Sequence, residues 1–354
     1  MFHIESTSVV FRDEGAYCGP ISMLEKLDGG DLLVVFRHAD WEGPERQTHA
    51  HPSTRTSLVR SRDGGQTWEA PLTPDPDGGN GTSIAALGET VIINNFHWTL
   101  VPPERRAELA DRAVVREIGS IGMVSALDGV YVTRSHDAGY TWETPRPLRL
   151  PGWEDATTAG RVIGLADGSW LMPMNGSMGR AADKFPWVAR STDAGESWVF
   201  HGECGQPRAD LSFSENRLLT LPDGGILSMV RTQEGNYWSA RSADGGVRWS
   251  PLAPTPIPCL GSSPADLLLL TDGRVLCTYG NRRREPLGVR ACVSEDGGRT
   301  WLFDAEIVLR DDAHSRDMGY PSSRQLVDGS ILTVYYWHEA DLIRHLVGTR
   351  WRLD

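Results

Sequence analysis

The sequence has no long apolar run and no excess of positive charge. Its 354 residues include 35 Lys and Arg against 47 Asp and Glu, which gives a formal net charge of −12 at pH 7. A chain this acidic is a poor partner for nucleic acids and for anionic membrane surfaces. No apolar stretch reaches the length of a membrane span. We therefore expect a protein that binds neither nucleic acid nor a membrane.

Cysteine is scarce and follows no pattern. The five cysteines are odd in number and lack the spacing of metal-ligand sets, so they are expected to be reduced and mostly buried. The first residues contain neither the basic nor the apolar region of a signal peptide. These absences predict a cytoplasmic protein without a cofactor, and they leave its oligomeric state open.

The sequence does contain a repeated octet. The pattern Ser-x-Asp-x-Gly-x-x-Trp occurs five times, starting at Ser61, Ser135, Ser191, Ser242 and Ser294. A repeat with a period near 50 residues indicates the architecture of the whole chain. Asp and Gly favour a tight turn, because the carboxylate accepts from backbone N–H groups and glycine adopts the left-handed conformation. The Trp can bury its ring between neighbouring sheets, so the octet is interpreted as a folding device.

A second repeat gives the number of sheets. Six times a tight turn joins two apolar stretches, which is typical of a β-hairpin. These hairpins cover residues 21–36, 84–96, 162–174, 218–230, 267–279 and 326–336. They predict an all-β fold, a six-bladed β-propeller that forms one domain over residues 1–354. Because only five octets accompany six hairpins, residues 4–11 are expected to supply the outer strand of the last blade.

One region interrupts the repeat. Residues 101–117 contain prolines followed by Ala, Leu and charged residues at helical spacing. This pattern predicts a short helical insertion in blade two, after its second inner strand. We expect the helix to lean over one face of the propeller.

The hairpin pattern also separates two faces. Strands alternate in direction, so the loops on the face opposite the octets surround the central channel, where propellers bind ligands. Tryptophan rings can stack on sugars, and an arginine of the cluster 282–284 can bind a carboxylate through two hydrogen bonds. The candidates for carbohydrate binding on this face are Arg37, His38, Asp40, His97, Trp98, Arg161, Arg231, Arg283, Trp337 and His338.

With these motifs, the sequence resembles the sialidase superfamily of β-propellers, whose Asp-boxes are similar to the octets. Residues 213–231 are similar to the sialidase segment with a glutamate before one strand and an arginine after the next. Residues 319–336 are similar to the segment that carries the nucleophilic tyrosine. The resemblance implies Tyr320 as the nucleophile, Glu215 as its base and Arg231 as a clamp on a substrate carboxylate. Pro321 is expected to hold Tyr320 in an extended backbone.

The activity that this resemblance implies is that of a sialidase-like exo-glycoside hydrolase. Its substrate would be an acidic or modified sugar of a small oligosaccharide. A phenol is a neutral nucleophile, so a carboxylate beside the reacting carbon does not repel it, and its high pKa explains the need for a base.

Two positions depart from the family pattern. Residues 18–20 read Cys-Gly-Pro where sialidases have Arg-Ile-Pro, so the first of three arginines is missing and Arg37 is the nearest substitute. The loop that carries the family's acidic Asp contains His49 and His51 instead. A histidine can serve as an acid or a base near neutral pH, so both are candidate catalytic residues.

Two other functions fit the same residues. The histidines could support a histidine-based polysaccharide lyase or hydrolase, with a divalent metal held by the alternating pair His49 and His51. That mechanism requires His38, His49, His51 or His97 to converge on one point. A non-catalytic carbohydrate-binding propeller requires only aromatic residues and arginines around an open pocket.

Overall fold

The apolar stretches and tight turns fold into six antiparallel sheets. The computed structural model describes residues 1–112, 114–176, 184–205, 211–233, 235–259 and 263–353. Each sheet is one blade, and the first inner strands of successive blades contact one another around the ring. The predicted all-β, six-bladed propeller is confirmed.

The first three blades follow one another along the chain. Blade one consists of Ala16–Lys26, Leu32–Asp40, Arg55–Ser61 and Leu72–Asp75. Blade two consists of Asn80–Leu87, Thr90–Val101, Met123–Ser135 and Arg146–Pro147, and Val115–Ile118 pairs with its third strand. Blade three consists of Thr157–Thr158, Ile163–Gly164, Trp170–Gly176, Phe185–Ser191 and Val199–Glu203. Its first inner strand is interrupted, because both short segments pair with Trp170–Gly176.

The last three blades repeat the plan. Blade four consists of Phe213–Thr220, Ile226–Thr232, Asn236–Ser242 and Ala253–Pro258. Blade five consists of Asp266–Leu269, Val275–Asn281, Gly288–Ser294 and Ile307–Arg310. Blade six consists of Gly319–Gln325, Ile331–Trp337, His345–Leu353 and the N-terminal strand Phe2–Phe11. The pairing of the first strand with the last covers the edge that His345–Leu353 would otherwise expose.

In the part of the chain that the structure describes, helix is limited to three 3₁₀ segments, Pro44–Arg46, Pro103–Leu109 and Phe303–Ala305. The predicted helical insertion in blade two is therefore present, as the 3₁₀ helix Pro103–Leu109. The residues that follow it form the strand Val115–Ile118, because they find a backbone partner in Met123–Ser135. Among the described residues, none of the helices has the length and apolar character that a membrane crossing requires.

The octets close their turns as the sequence predicts. In the last copy, the backbone N–H of Gly298 donates to Ser294 Oγ at 2.7 Å, and that of Thr300 donates to Asp296 Oδ1 at 2.8 Å. Gly298 has a φ of 85°, in the left-handed region. Trp301 and Trp198 are buried, whereas the other three octet tryptophans are only half-buried.

The core is divided among the interfaces between blades. Leu24 of blade one and Val334 of blade six belong to one apolar cluster, and Leu276 of blade five and Tyr335 of blade six belong to another. Each blade thus buries its faces against two neighbours, which fixes the loops at both ends of the channel.

Candidate active site

A cavity of about 560 Å³ opens at one end of the channel. Its wall comes from residues that begin the first inner strands and end the second inner strands, such as Asn80, Tyr320, Phe96 and Arg231. No octet residue of the described chain lines it. The ionisable and histidine side chains on its wall are His49, Arg116, Lys184, Glu215, Arg231, Arg282, Asp317, Tyr320, Tyr336 and Arg344. Arginines thus outnumber carboxylates, which favours an anionic ligand.

Tyr320 reaches the cavity through an irregularity in its strand. The strand register shifts between Gly319 and Ser322, and Tyr320 has a φ of 51°. The expectation that Pro321 holds Tyr320 in an extended backbone is therefore wrong. A left-handed backbone is unfavourable for a bulky residue, and such strain persists where the surroundings hold it, often at functional sites.

Tyr320, Glu215 and Arg231 form one hydrogen-bonded group. The Tyr320 hydroxyl donates to Glu215 Oε1 at 2.7 Å. Arg231 Nη1 lies 2.7 Å from Glu215 Oε2 and 3.2 Å from the Tyr320 oxygen. Tyr320 is only 6% exposed, so these bonds form largely out of contact with water.

The electrostatics of this group keep the proton on the phenol. Burial would raise the pKa of Glu215, but the charge of Arg231 and the hydrogen bonds from Tyr320 and Arg231 lower that pKa to about 2. Burial and the Glu215 charge raise the pKa of Tyr320 above its usual value, and Arg231 and Arg282 only partly oppose them. At neutral pH the pair is thus a carboxylate and a neutral phenol, and Glu215 is already placed to accept the phenol proton.

Three arginines line the cavity near Tyr320. Besides Arg231, these are Arg282, which donates to the Tyr336 hydroxyl at 2.6 Å, and Arg344, whose Nε donates to Asp317 Oδ2 at 2.6 Å. The carbonyl of Arg344 accepts from the backbone N–H of Cys18 at 3.0 Å. Arg344 therefore lies next to the position where the first sialidase arginine is missing.

Three predicted arginines, Arg37, Arg161 and Arg283, do not line the cavity wall. Arg37 is fully buried, and its guanidinium donates to Tyr17, Gly19, Thr48 and Thr54. It therefore stabilises blade one and does not replace the missing arginine. Arg283 is exposed and lies outside the wall, whereas its neighbour Arg282 lines it.

The candidate histidines are dispersed. His49 lines the cavity, and its protein surroundings together with Arg37 and Arg344 lower its pKa to about 4. The other four are buried among local partners. His38 contacts Ser57, His51 contacts Ser53, His97 contacts Asp75, and His338 contacts Ser315. Within the described residues, no group of three or more His, Cys, Asp or Glu side chains could hold a metal ion.

The other candidates divide in the same way. Trp98 lines the cavity, with the guanidinium of Arg116 over its ring at 5.6 Å. Trp337 is fully buried in the core beneath Arg310, so it cannot stack on a sugar. Asp40 is exposed and pairs with Arg55 at 3.0 Å.

Arg161 is buried in the channel interior, away from the wall, and its charge pairs with Glu25 and Asp266. A role in substrate binding is therefore corrected to a structural role.

Several residues of the wall escaped the sequence analysis. Asp317 lies three positions before Tyr320, and Arg344 directly precedes the strand His345–Leu353. No octet follows that strand, so the repeat gave no sign that its leading loop returns to the cavity. Arg116 lies near the end of the insertion, for which the sequence predicts a short helix.

Comparisons with known proteins agree with this architecture. The family model described as BNR repeat-like domain matches residues 113–333, and the model for the BNR/Asp-box repeat matches residues 59–70. A comparison with curated proteins gave no match.

Solved structures with similar folds include both an uncharacterised protein and sialidases. A protein of unknown function from Dyadobacter fermentans DSM 18053 has 24% identity and a TM-score of 0.86, over 100% of this chain and 99% of that chain. The Hadza microbial sialidase Hz136 has 17% identity and a TM-score of 0.69, over 97% of this chain and 68% of that chain. The intramolecular trans-sialidase from Ruminococcus gnavus, in complex with oseltamivir carboxylate, has 16% identity and a TM-score of 0.66, over 96% of this chain and 95% of that chain. At these identities the likeness is one of fold.

Proposed function

Because this chain belongs to the family of BNR repeat-like domains, as a propeller of the sialidase superfamily, we propose that it is an exo-acting glycoside hydrolase. The substrate is a small oligosaccharide that ends in an acidic sugar. The observation that carries the proposal is the hydrogen-bonded group of Tyr320, Glu215 and Arg231 at the cavity floor.

The charge of the cavity selects the sugar. Arg231 and Arg282 contact Tyr320, and Arg344 lies over the ring of Tyr336 beside it. Guanidinium groups bind carboxylates through charge-assisted hydrogen bonds. A sugar with its carboxylate on the anomeric carbon places that carboxylate among the arginines and the anomeric carbon near the phenol. A charged nucleophile would be repelled by this substrate, whereas a phenol is neutral until it reacts.

The reaction proceeds in two steps. The phenol oxygen of Tyr320 bonds to the anomeric carbon, the phenol proton passes to Glu215, and the glycosidic bond to the leaving oxygen breaks. The leaving oxygen takes a proton from His49. Because the pKa of His49 is about 4, its ring carries this proton mainly at acidic pH. Water then attacks the same carbon and gives a proton to His49, the bond from that carbon to the tyrosine oxygen breaks, and Glu215 returns its proton to that oxygen. The sugar is released with its configuration retained.

The test is turnover by Tyr320→Phe, which keeps the aromatic ring and removes only the reacting oxygen. On 4-methylumbelliferyl glycosides of sugars with an anomeric carboxylate, we expect kcat to fall by at least about a thousandfold. Glu215→Gln is expected to lose activity as well, because the amide cannot accept the phenol proton. The matched control is Tyr140→Phe, which removes the same oxygen from an exposed tyrosine outside the cavity.

The outcomes separate the competing functions. Wild-type turnover in Tyr320→Phe would refute the tyrosine mechanism. Product masses distinguish hydrolysis, which adds water, from elimination, which does not. Binding of acidic sugars without any turnover by the wild type would make the chain a carbohydrate-binding propeller.

A further inference from the structure

The cavity has a second positive wall, away from Tyr320. It consists of Arg116, in the strand Val115–Ile118 of the blade-two insertion, and of Trp98, whose ring lies 5.6 Å from the Arg116 guanidinium carbon. The ring of Phe96 meets that of Trp98 edge-on at 6.2 Å. All three side chains line the cavity, so the insertion adds a cation on an aromatic support to the binding surface.

Arg116 differs from three of the other four cations of the wall, because each of those three pairs with a carboxylate. Arg231 pairs with Glu215, Arg344 with Asp317, and Lys184 with Asp155. The fourth, Arg282, donates to the Met318 carbonyl and the Tyr336 hydroxyl. The nearest carboxylate in sequence, Glu117, pairs with Arg106. No carboxylate of the described residues pairs with Arg116, so its charge is available to a ligand.

The depth of the two walls gives the orientation of the substrate. Tyr320 is 6% exposed and lies at the floor, whereas the Arg116 side chain is exposed at the mouth. An enzyme that removes terminal sugars holds the terminal sugar at the floor and the remainder of the glycan toward solvent. The group that reaches Arg116 therefore belongs to the leaving portion of the substrate.

We propose that Arg116 and Trp98 form a subsite for a negatively charged leaving-group sugar, one that bears a carboxylate or a sulfate. This inference rests on the proposed function, since it identifies which side of the scissile bond faces the mouth. The cavity volume of about 560 Å³ lies within the range of roughly 300–1,000 Å³ that encloses drug-sized ligands, so two sugar rings fit. The substrate then carries one charge at the floor and a second at the mouth.

The test is equilibrium binding of three probes by NMR titration, namely methyl galactoside, its 6-sulfate and methyl galacturonoside. None of them carries a carboxylate on the anomeric carbon, so none is a substrate of the proposed reaction and the result does not depend on hydrolysis. A charge-assisted contact predicts that the charged probes bind about tenfold more tightly than the neutral one. In Arg116→Gln that advantage is expected to disappear.

Two variants make the outcome specific. Arg105→Gln removes an exposed arginine of the same insertion that lies outside the cavity, so it should keep the advantage. Arg344→Gln removes a cation of the floor, and in this variant too the charged probes should still bind more tightly than the neutral one. If Arg344→Gln loses the advantage while Arg116→Gln keeps it, or if charged and neutral probes bind equally to the wild type, the subsite does not exist. A larger advantage for one charged probe identifies sulfate or carboxylate as the preferred group.

Failure of the subsite and failure of the proposed function give different results. If the subsite exists but the tyrosine mechanism fails, probe binding depends on Arg116, while the wild type shows no turnover or Tyr320→Phe keeps the wild-type turnover. Catalysis without the subsite gives the reverse pattern.

Discussion

At the scale of residues, the site centres on a tyrosine that its surroundings hold in an unfavourable backbone conformation. Tyr320 has a left-handed backbone, and its hydroxyl is fixed by Glu215 and Arg231. The family's first arginine is replaced by cysteine at position 18, but Arg344, in the loop that precedes the strand His345–Leu353, lies beside that position. A positive charge at this position thus comes from a different part of the chain, and under the proposed function it binds the substrate carboxylate.

This replacement predicts the effect of Arg344→Gln. Loss of a charge-assisted contact to the substrate carboxylate should lower kcat/KM by roughly 10–100-fold, measured on the 4-methylumbelliferyl glycosides. The matched control is Arg283→Gln, because Arg283 lies in the arginine cluster but outside the cavity. Equal kinetics for the two variants would show that Arg344 does not contact the substrate.

At the scale of elements, the octets act as caps on the turns that join outer strands. The second and third copies place Ala138 and Ala194 at φ values of 59° and 54°, where the other copies have glycine. The turn can hold an alanine in this region because the octet Asp and Ser together bind several of its backbone N–H groups. These carboxylates work only when ionised, which makes the turns sensitive to acid.

Asp296→Asn tests this sensitivity. Partial burial would raise the pKa of Asp296, but hydrogen bonds from Thr300 and Ser294 lower it to about 2. A carboxyl with a lowered pKa stabilises the fold above its unfolded pKa near 4, and that stabilisation is lost as the pH falls toward 2. We expect Asp296→Asn to lower the free energy of unfolding by about 1 kcal/mol at pH 7. Between pH 4 and 2 the free energy of unfolding of the variant should decline less steeply than that of the wild type.

Urea unfolding at several pH values measures both effects. Asp304→Asn is the control, because Asp304 is exposed and makes no hydrogen bond or ion pair within the described residues. If the free energy of unfolding of both variants depends on pH as that of the wild type does, the ionised octet carboxylate does not stabilise the turn.

At the scale of the whole molecule, an ionic cluster in the channel connects four of the blades. Arg161, which precedes an inner strand of blade three, lies 3.2 Å from Glu25 of blade one and 3.3 Å from Asp266 of blade five. It also donates to Ser322 of blade six at 3.1 Å. Because all four residues are buried, their charges and hydrogen bonds must be satisfied within the cluster.

Arg161→Met should therefore destabilise the protein strongly. The substitution leaves Asp266 without its buried arginine partner and weakens the binding of Glu25, which costs about 3–5 kcal/mol in comparable buried pairs. Denaturant unfolding measures the change. Arg146→Met, which breaks an exposed pair with Glu196, is expected to cost less than about 1 kcal/mol. A small loss in both variants would contradict a structural role for the cluster.

The sequence by itself determined the architecture. The number of blades and the turns of the octets follow from short-range patterns, because alternating apolar residues and Asp-Gly turns specify hairpins locally. Tyr320, Glu215 and Arg231 were also identifiable, since each lies at a fixed distance from a hairpin turn and resembles a family segment.

Only the tertiary structure decided which other side chains share the cavity. Successive residues of a strand point to opposite faces, so a shift of one residue in register exchanges a cavity residue for a buried or exposed one. This is why Trp337, at the end of the strand Ile331–Trp337, is buried in the core. Arg282 and Arg283 follow the strand Val275–Asn281, and the path of the chain after that strand brings Arg282 to the wall where Arg283 was expected. Arg344 and Arg116 come from segments outside the repeat, and their approach to Tyr320 and Trp98 depends on the closure of the ring and the path of the insertion.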